Sequence, residues 1–127
     1  NSLPLFHPES EPEETVDQFK RDLNESDAII ISTPEYTHNM PALLKNAFEW
    51  VTKSGELAGK KVLAITYTPH PPRGEKAMRS MIWTLKALDA VIVAQLPLYK
   101  TEIKFIEGKI SDEGTSSLLY EAMQLLE

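Results

Sequence analysis

The sequence predicts an α/β fold in which a parallel sheet lies between layers of helices. Three apolar runs, at residues 28–31, 61–67 and 91–96, are rich in β-branched side chains and have the length of strands. Polar residues rarely alternate with apolar ones inside the runs, which is typical of strands buried on both faces. Segments with helical periodicity separate the runs, and this alternation of strand and helix indicates a parallel sheet.

Length and composition fit a single globular domain. The chain has 127 residues, of which 42% are hydrophobic and 25% charged, as is common for soluble proteins. A formal net charge of −6 argues against nucleic acid or an anionic membrane surface as a partner. Cysteine is absent, which excludes disulfides and thiolate chemistry, and we expect a cytoplasmic location.

The first part of the chain is predicted to be an irregular segment followed by a helix. Residues 1–14 are rich in proline and glutamate, which disfavour regular structure. A short helix is predicted over residues 15–23, because Val16, Phe19 and Leu23 recur at helical spacing.

The first strand, loop and second helix form the central predicted unit. The strand over residues 28–31 is expected to end at Ser32-Thr33-Pro34, because proline removes a donor from the ladder. After the loop 33–40, Pro41 is suited to the first position of a helix, where its missing N–H is no loss. One face of this helix is predicted to be apolar and the other polar. The apolar set is Leu43, Leu44, Ala47, Phe48 and Val51, and the polar set is Lys45, Asn46, Glu49 and Lys53.

The rest of the chain repeats this arrangement. The remaining predicted elements are a strand at 61–67, a loop at 68–74, a helix at 75–88, a strand at 91–96 and a helix at 115–126. Pro97 is expected to end the last strand. Serine and acidic residues at 111–113 indicate the start of the last helix.

Two loops at the carboxyl ends of neighbouring strands hold the candidate functional residues. Glu35 and Tyr36 follow the first strand, and Tyr67, Thr68 and His70 lie in or next to the loop after the second. In open α/β sheets, ligands bind at the carboxyl ends of the strands. The carboxylate, hydroxyls, aromatic rings and backbone amides suit a flat ring system better than they suit hydrolysis. From the residues alone, the alternative that the first loop only ends a strand and starts a helix stays open.

Patterns for other chemistry are missing. His7, His38 and His70 are scattered, without partners at metal-ligand spacing, so we expect no metal site. Neither a GxSxG nucleophile motif nor a glycine-rich phosphate loop can be drawn.

Several motifs in residues 3–96 together resemble a known family. They are Thr33-Pro34-Glu35-Tyr36, Pro41, Leu44-Lys45-Asn46-Ala47, Trp50, Leu57-Ala58-Gly59-Lys60 and the opening Ser2-Leu3-Pro4-Leu5-Phe6. This set resembles the NADPH-dependent FMN reductase family, a branch of the flavodoxin-like fold. The resemblance continues loosely into the last helix.

The resemblance implies a parallel five-stranded sheet that binds FMN at the carboxyl ends of its strands. The residues expected to border the isoalloxazine ring, mostly through backbone groups, are Pro34, Glu35, Tyr36, Thr37, His38 and Thr68. No side chain is expected to be catalytic, because the flavin carries the chemistry. NADPH would serve as the reductant, and a flavin, quinone or similar small molecule as the acceptor. A homodimer or homotetramer is also implied.

The sequence departs from the family pattern in both loops. Thr37 stands where the family has asparagine, and Pro71-Pro72-Arg73 replaces most of a glycine-rich run. Proline stiffens the second loop and removes amide donors. Arg73 could hold a phosphate of the cofactor or of NADPH, and the alternative that it is a surface arginine stays open.

The predicted sheet lacks the family's first strand and helix. In the flavodoxin-like order 2-1-3-4-5, the strand at 28–31 would be the third, with the first strand as one neighbour. We therefore expect residues 1–127 to form a single flavodoxin-like domain that is incomplete at its N-terminus. At least about 30 upstream residues, or another chain, would cover the open edge, and the FMN phosphate site would belong to the missing unit.

The leading functional hypothesis is an FMN-dependent NAD(P)H oxidoreductase. The alternatives are an FMN-binding electron carrier and a non-catalytic flavodoxin-like module, since a fold alone does not assign a function.

Overall fold

A computed structural model describes residues 3–127 and contains a parallel sheet with helices on both faces. Its elements are α1 (Glu14–Glu25), β1 (Ala28–Thr33), α2 (Ala42–Trp50), β2 (Lys61–Thr68), α3 (Glu75–Ala87), β3 (Val91–Tyr99), β4 (Phe105–Ile106), β5 (Lys109–Ile110) and α4 (Glu113–Gln124). Strands β1, β2 and β3 pair in that order, and β4 and β5 form a separate antiparallel hairpin. The predicted α/β class is confirmed. Ser2, part of the opening motif, lies outside the described residues.

The core lies on both faces of β2, the central strand. Helices α1, α2 and α3 pack on one face, where Val62 and Ala64 of β2 are fully buried. Helix α4 packs on the other face through Ala122, against Leu63 and Ile65 of β2. The predicted burial of β2 on both faces is therefore confirmed, and the sheet is the middle of three layers.

Strand β1 is more exposed than its sequence predicts. Its pairing places Ile30 beside Leu63 and Ser32 beside Ile65, on the face that α4 covers. Helix α4 does not extend over β1, so Ile30 is 48% exposed. Among the described residues β1 pairs with β2 alone, and its other edge is open. The prediction of burial on both faces is wrong for β1 and also for β3, in which Leu96 is the one buried residue. Burial of a strand depends on which other elements pack against it, and the apolar sequence of the strand does not determine that.

Pro97 does not end β3, as the sequence predicted. The strand continues to Tyr99, and Pro97 lies beside Thr66 in the ladder. Strand β3 is the other edge of the described sheet, where a proline can leave its missing donor on the unpaired side.

Helix α2 differs from its prediction on both faces. Leu43, assigned to the apolar face, is 78% exposed, whereas Asn46, assigned to the polar face, is buried. The Asn46 side chain accepts from Phe6 N at 2.8 Å and donates to Pro4 O at 2.9 Å. The Trp50 indole donates to the same carbonyl at 2.7 Å. Two residues of the family motif therefore hold the N-terminal segment against the fold.

No helix in residues 3–127 is both long and apolar enough to cross a membrane.

Candidate functional site

Loop 1, residues 34–41, lies at the carboxyl end of β1 and contains a tight turn. Tyr36 N donates to Asn39 O and Asn39 N donates to Tyr36 O, both at 2.9 Å. Between them Thr37 has φ 50° and His38 has φ 57°, so both residues are left-handed. This is the geometry of a two-residue type I′ turn, which usually holds asparagine and glycine. The turn projects from the sheet edge, and Tyr36, Thr37 and His38 are exposed.

The turn leaves backbone donors free at its tip. Within residues 3–127, no group accepts a hydrogen bond from the amides of Thr37 and His38. Exposed N–H groups in a fixed turn suit a ligand whose ring carries carbonyl oxygens and unprotonated nitrogens as acceptors. An isoalloxazine ring has both, so this part of the structure fits the ring of FMN.

The Glu35 side chain faces inward, away from this exposed tip. Its carboxylate accepts from Lys76 N at 3.1 Å and from Ala77 N at 3.0 Å, in the first turn of α3. Only 6% of the side chain is exposed, and Oε1 lies 3.7 Å from His38 Nδ1. Burial raises the pKa of Glu35, but the hydrogen bonds from the Ala77, Gly74 and Lys76 amides and the nearby His38 together lower it below the ordinary value. The side chain is therefore a carboxylate at neutral pH.

Loop 2, residues 69–74, follows β2, and hydrogen bonds from its own residues and from Thr68 hold its conformation. Thr68 is buried, and its hydroxyl donates to Arg73 O at 2.8 Å. Arg73 N donates to His70 O at 3.1 Å, and the Arg73 side chain is exposed. Three residues of this loop are prolines and carry no N–H. Loop 2 therefore offers few amide donors, as the sequence predicted.

Gly74 joins loop 2 to α3 and could not be replaced without strain. Its φ is +100°, and a Cβ atom there would lie 3.1 Å from both Thr66 Oγ1 and Thr68 Cγ2. Gly74 is the N-cap residue of α3 but has no side chain to accept from the first-turn amides. Glu35, about forty residues earlier in the chain, takes that role.

The segment after β3 borders loop 2. Lys100 N donates to Thr68 O at 2.9 Å, and Thr101 N donates to Pro69 O at 3.2 Å. The β4–β5 hairpin, which the sequence did not predict, follows with Ile106 66% exposed. The sequence signal for this hairpin would have been the apolar pair Phe105-Ile106, followed by Glu107-Gly108 as a two-residue turn and then Lys109-Ile110.

Three of the described helix N-termini are poorly suited to a phosphate group. Helix α1 has acidic residues in its first turn, and Glu35 occupies the start of α3. At α4, Asp112 accepts from Thr115 N and Lys104 N, both at 2.9 Å. Hydrogen bonds from Thr115, then Lys104, lower the pKa of Asp112 to about 2. The residues of this edge thus fit the ring of FMN, but these helices do not offer a site for its phosphate.

The structure brings together five of the six predicted site residues. Residues 34–38 share loop 1, whereas Thr68 lies buried beneath loop 2 with its hydroxyl already bonded. Sequence reasoning missed the contact between Glu35 and α3, which joins the two loops. The sequence did contain a signal for this contact. Gly74, which precedes α3, has no side chain to cap the helix, and Glu35 is the one carboxylate in loop 1.

Comparisons with known proteins agree with this arrangement. The sequence pattern of a family described as NADPH-dependent FMN reductase matches residues 1–100. Quinone reductase of Escherichia coli (strain K12) is 28% identical over 123 residues, covering 89% of this chain and 65% of the relative. The 2-hydroxy-1,4-benzoquinone reductase of Burkholderia sp is 32% identical over 117 residues, with coverage of 88% and 62%. The chain thus spans less than two-thirds of the length of these relatives.

A solved structure shows the same fold. FerB, a flavoenzyme NAD(P)H:(acceptor) oxidoreductase from Paracoccus denitrificans, superposes with a TM-score of 0.83 at 23% identity. The match covers 98% of this chain and 73% of FerB. The predicted flavodoxin-like class is therefore confirmed.

Proposed function

This chain belongs to the NADPH-dependent FMN reductase family, and on that basis we propose that it acts as an FMN-dependent NAD(P)H oxidoreductase. Its acceptor would be a small molecule such as a flavin, which the family description indicates, or a quinone, which the names of two relatives indicate. FMN, when bound, supplies the hydride-transfer chemistry.

The observation that carries this proposal is the turn in loop 1. It lies at the carboxyl edge of the sheet, where α/β folds bind ligands, and its exposed amides suit the acceptors of a flavin ring. We place the ring against Pro34, Glu35, Tyr36, Thr37 and His38, with Thr68 beside it. Glu35 would contribute through its backbone, since its carboxylate is bound to α3. Thr68 would contribute by fixing the shape of loop 2.

The open edge of β1 supports a second part of the proposal. A further strand would pair with β1, and its helix would cover Ile30 on the α4 face. The N-terminus of a helix in that unit would bind the FMN phosphate, which α1, α3 and α4 do not favour. Assembly as a homodimer or homotetramer and a cytoplasmic location, beside the cell's NAD(P)H, complete the proposal.

An absorbance spectrum of the purified complete protein tests the proposal directly. We expect flavin bands that bleach when NADPH is added without oxygen and return when a quinone is supplied. A protein that remains colourless after incubation with FMN would refute the function. A bound flavin that neither NADPH nor NADH reduces would favour the electron-carrier alternative.

A further inference from the structure

The Glu35 carboxylate joins two parts of the site that are distant in sequence. Lys76 and Ala77, whose amides it binds, follow it by 41 and 42 residues. Each loop also has hydrogen bonds of its own. In loop 1 they form the turn between Tyr36 and Asn39, and in loop 2 the Thr68 hydroxyl donates to Arg73 O. Each loop thus has its own internal shape, and the pairing of Thr33 with Thr66 brings their starts together. The Glu35 carboxylate adds a link from loop 1 to the start of α3, which follows loop 2.

Burial and charge both strengthen this contact. The Glu35 side chain is only 6% exposed, so water competes little for its oxygens. Hydrogen bonds from backbone amides to a carboxylate are stronger than those between neutral groups. The partial positive charge of the α3 N-terminus adds to this attraction. Because Gly74 has no side-chain oxygen, no cap at that position can replace Glu35.

We propose that Glu35 is a positioning residue that holds loop 1 at a fixed distance from loop 2 and thereby shapes the flavin-ring site. The proposal rests on the proposed function. It also assigns the α3 N-terminus to an internal carboxylate, so that this helix does not bind a phosphate of FMN or NADPH.

The test compares Glu35→Gln and Glu35→Ala with a matched control in the complete protein. Glutamine keeps the volume and one acceptor oxygen but removes the charge, whereas alanine removes both acceptors. The control is Glu56→Gln, since Glu56 is a buried carboxylate that accepts from Ser54 Oγ at 2.8 Å in the turn before β2. Amide hydrogen exchange and the Kd for FMN are measured for each protein.

We expect the Lys76 and Ala77 amides to exchange at least about tenfold faster in Glu35→Gln, while the amides of β2 keep their protection. The Kd for FMN should rise about tenfold, the effect of losing about one charge-assisted hydrogen bond. Glu35→Ala should exceed Glu35→Gln in both measurements, and Glu56→Gln should leave both unchanged.

Two results would overturn the inference while leaving the function intact. One is that the Lys76 and Ala77 amides remain as protected from hydrogen exchange in Glu35→Gln as in the unmutated protein. The other is faster exchange with an unchanged Kd for FMN, which would make Glu35 a helix cap with no effect on the site. If the unmutated protein does not bind FMN, the proposed function fails first and the positioning role falls with it. Should Glu35→Ala fail to fold, Glu35→Gln alone decides between these outcomes.

Discussion

Replacing Thr37 with asparagine should stabilise the protein, because Thr37 is held in an unfavourable backbone conformation. Its φ of 50° is left-handed, and a β-branched residue is a genuine outlier there. Asparagine enters this region readily, since its short amide forms local hydrogen bonds. The substitution therefore introduces a residue that a type I′ turn favours.

The magnitude follows from the cost of the left-handed conformation. An ordinary L-residue pays about 1–2 kcal/mol there, and we expect asparagine to recover about 1 kcal/mol. The unfolding entropy is about 2.1 cal/mol/K per residue, which for 127 residues is about 0.27 kcal/mol/K. One kcal/mol therefore corresponds to a rise in Tm of about 4 °C.

Thermal and denaturant unfolding of three variants would measure the effect. Glu107→Asn is the positive control, because Glu107 has φ 49° and precedes Gly108 in the β4–β5 turn. Thr101→Asn is the negative control, since Thr101 is an exposed threonine in a turn but is not left-handed. The reasoning would be refuted if Glu107→Asn raised the Tm while Thr37→Asn did no better than Thr101→Asn.

Three further predictions concern the segments around the site. Asp112 has a pKa of about 2 in the folded protein against 3.8 ordinarily, so its contribution is complete above about pH 4 and is lost as the pH falls toward 2. As the pH is lowered through this range, the free energy of unfolding should fall less steeply in Asp112→Asn than in the unmutated protein. Glu113→Gln should show the same steep fall as the unmutated protein. Gly74→Ala should lower the free energy of unfolding by about 1 kcal/mol or more in denaturant titrations; the result is contradicted if Gly114→Ala, which has open space around it and no left-handed φ, costs as much. Asn46→Ala should cost about 1–3 kcal/mol by leaving the half-buried Phe6 N–H without its acceptor and should expose residues 3–12 to protease, and equal resistance to cleavage would count against it.

The sequence by itself determined the order of the main elements and indicated that the candidate site lies at the carboxyl ends of the strands. Helical spacing identified α1 through α4, and an apolar run flanked by helices identified β2 as a buried strand. Both are local signals, because the periodicity of side chains follows directly from backbone geometry. The motif in loop 1 likewise indicated the family without any knowledge of contacts.

Only the tertiary structure decided what each of these residues contacts. The sequence placed Asn46 on a polar helix face, yet the backbone of Pro4 and Phe6 covers it. It placed Glu35 at the ligand edge, yet the start of α3 binds its carboxylate. It described β1 as buried, yet among the described residues no helix covers Ile30, which is exposed. A sequence pattern shows which face of an element is apolar or polar, but the partner that meets that face comes from residues forty or more positions away.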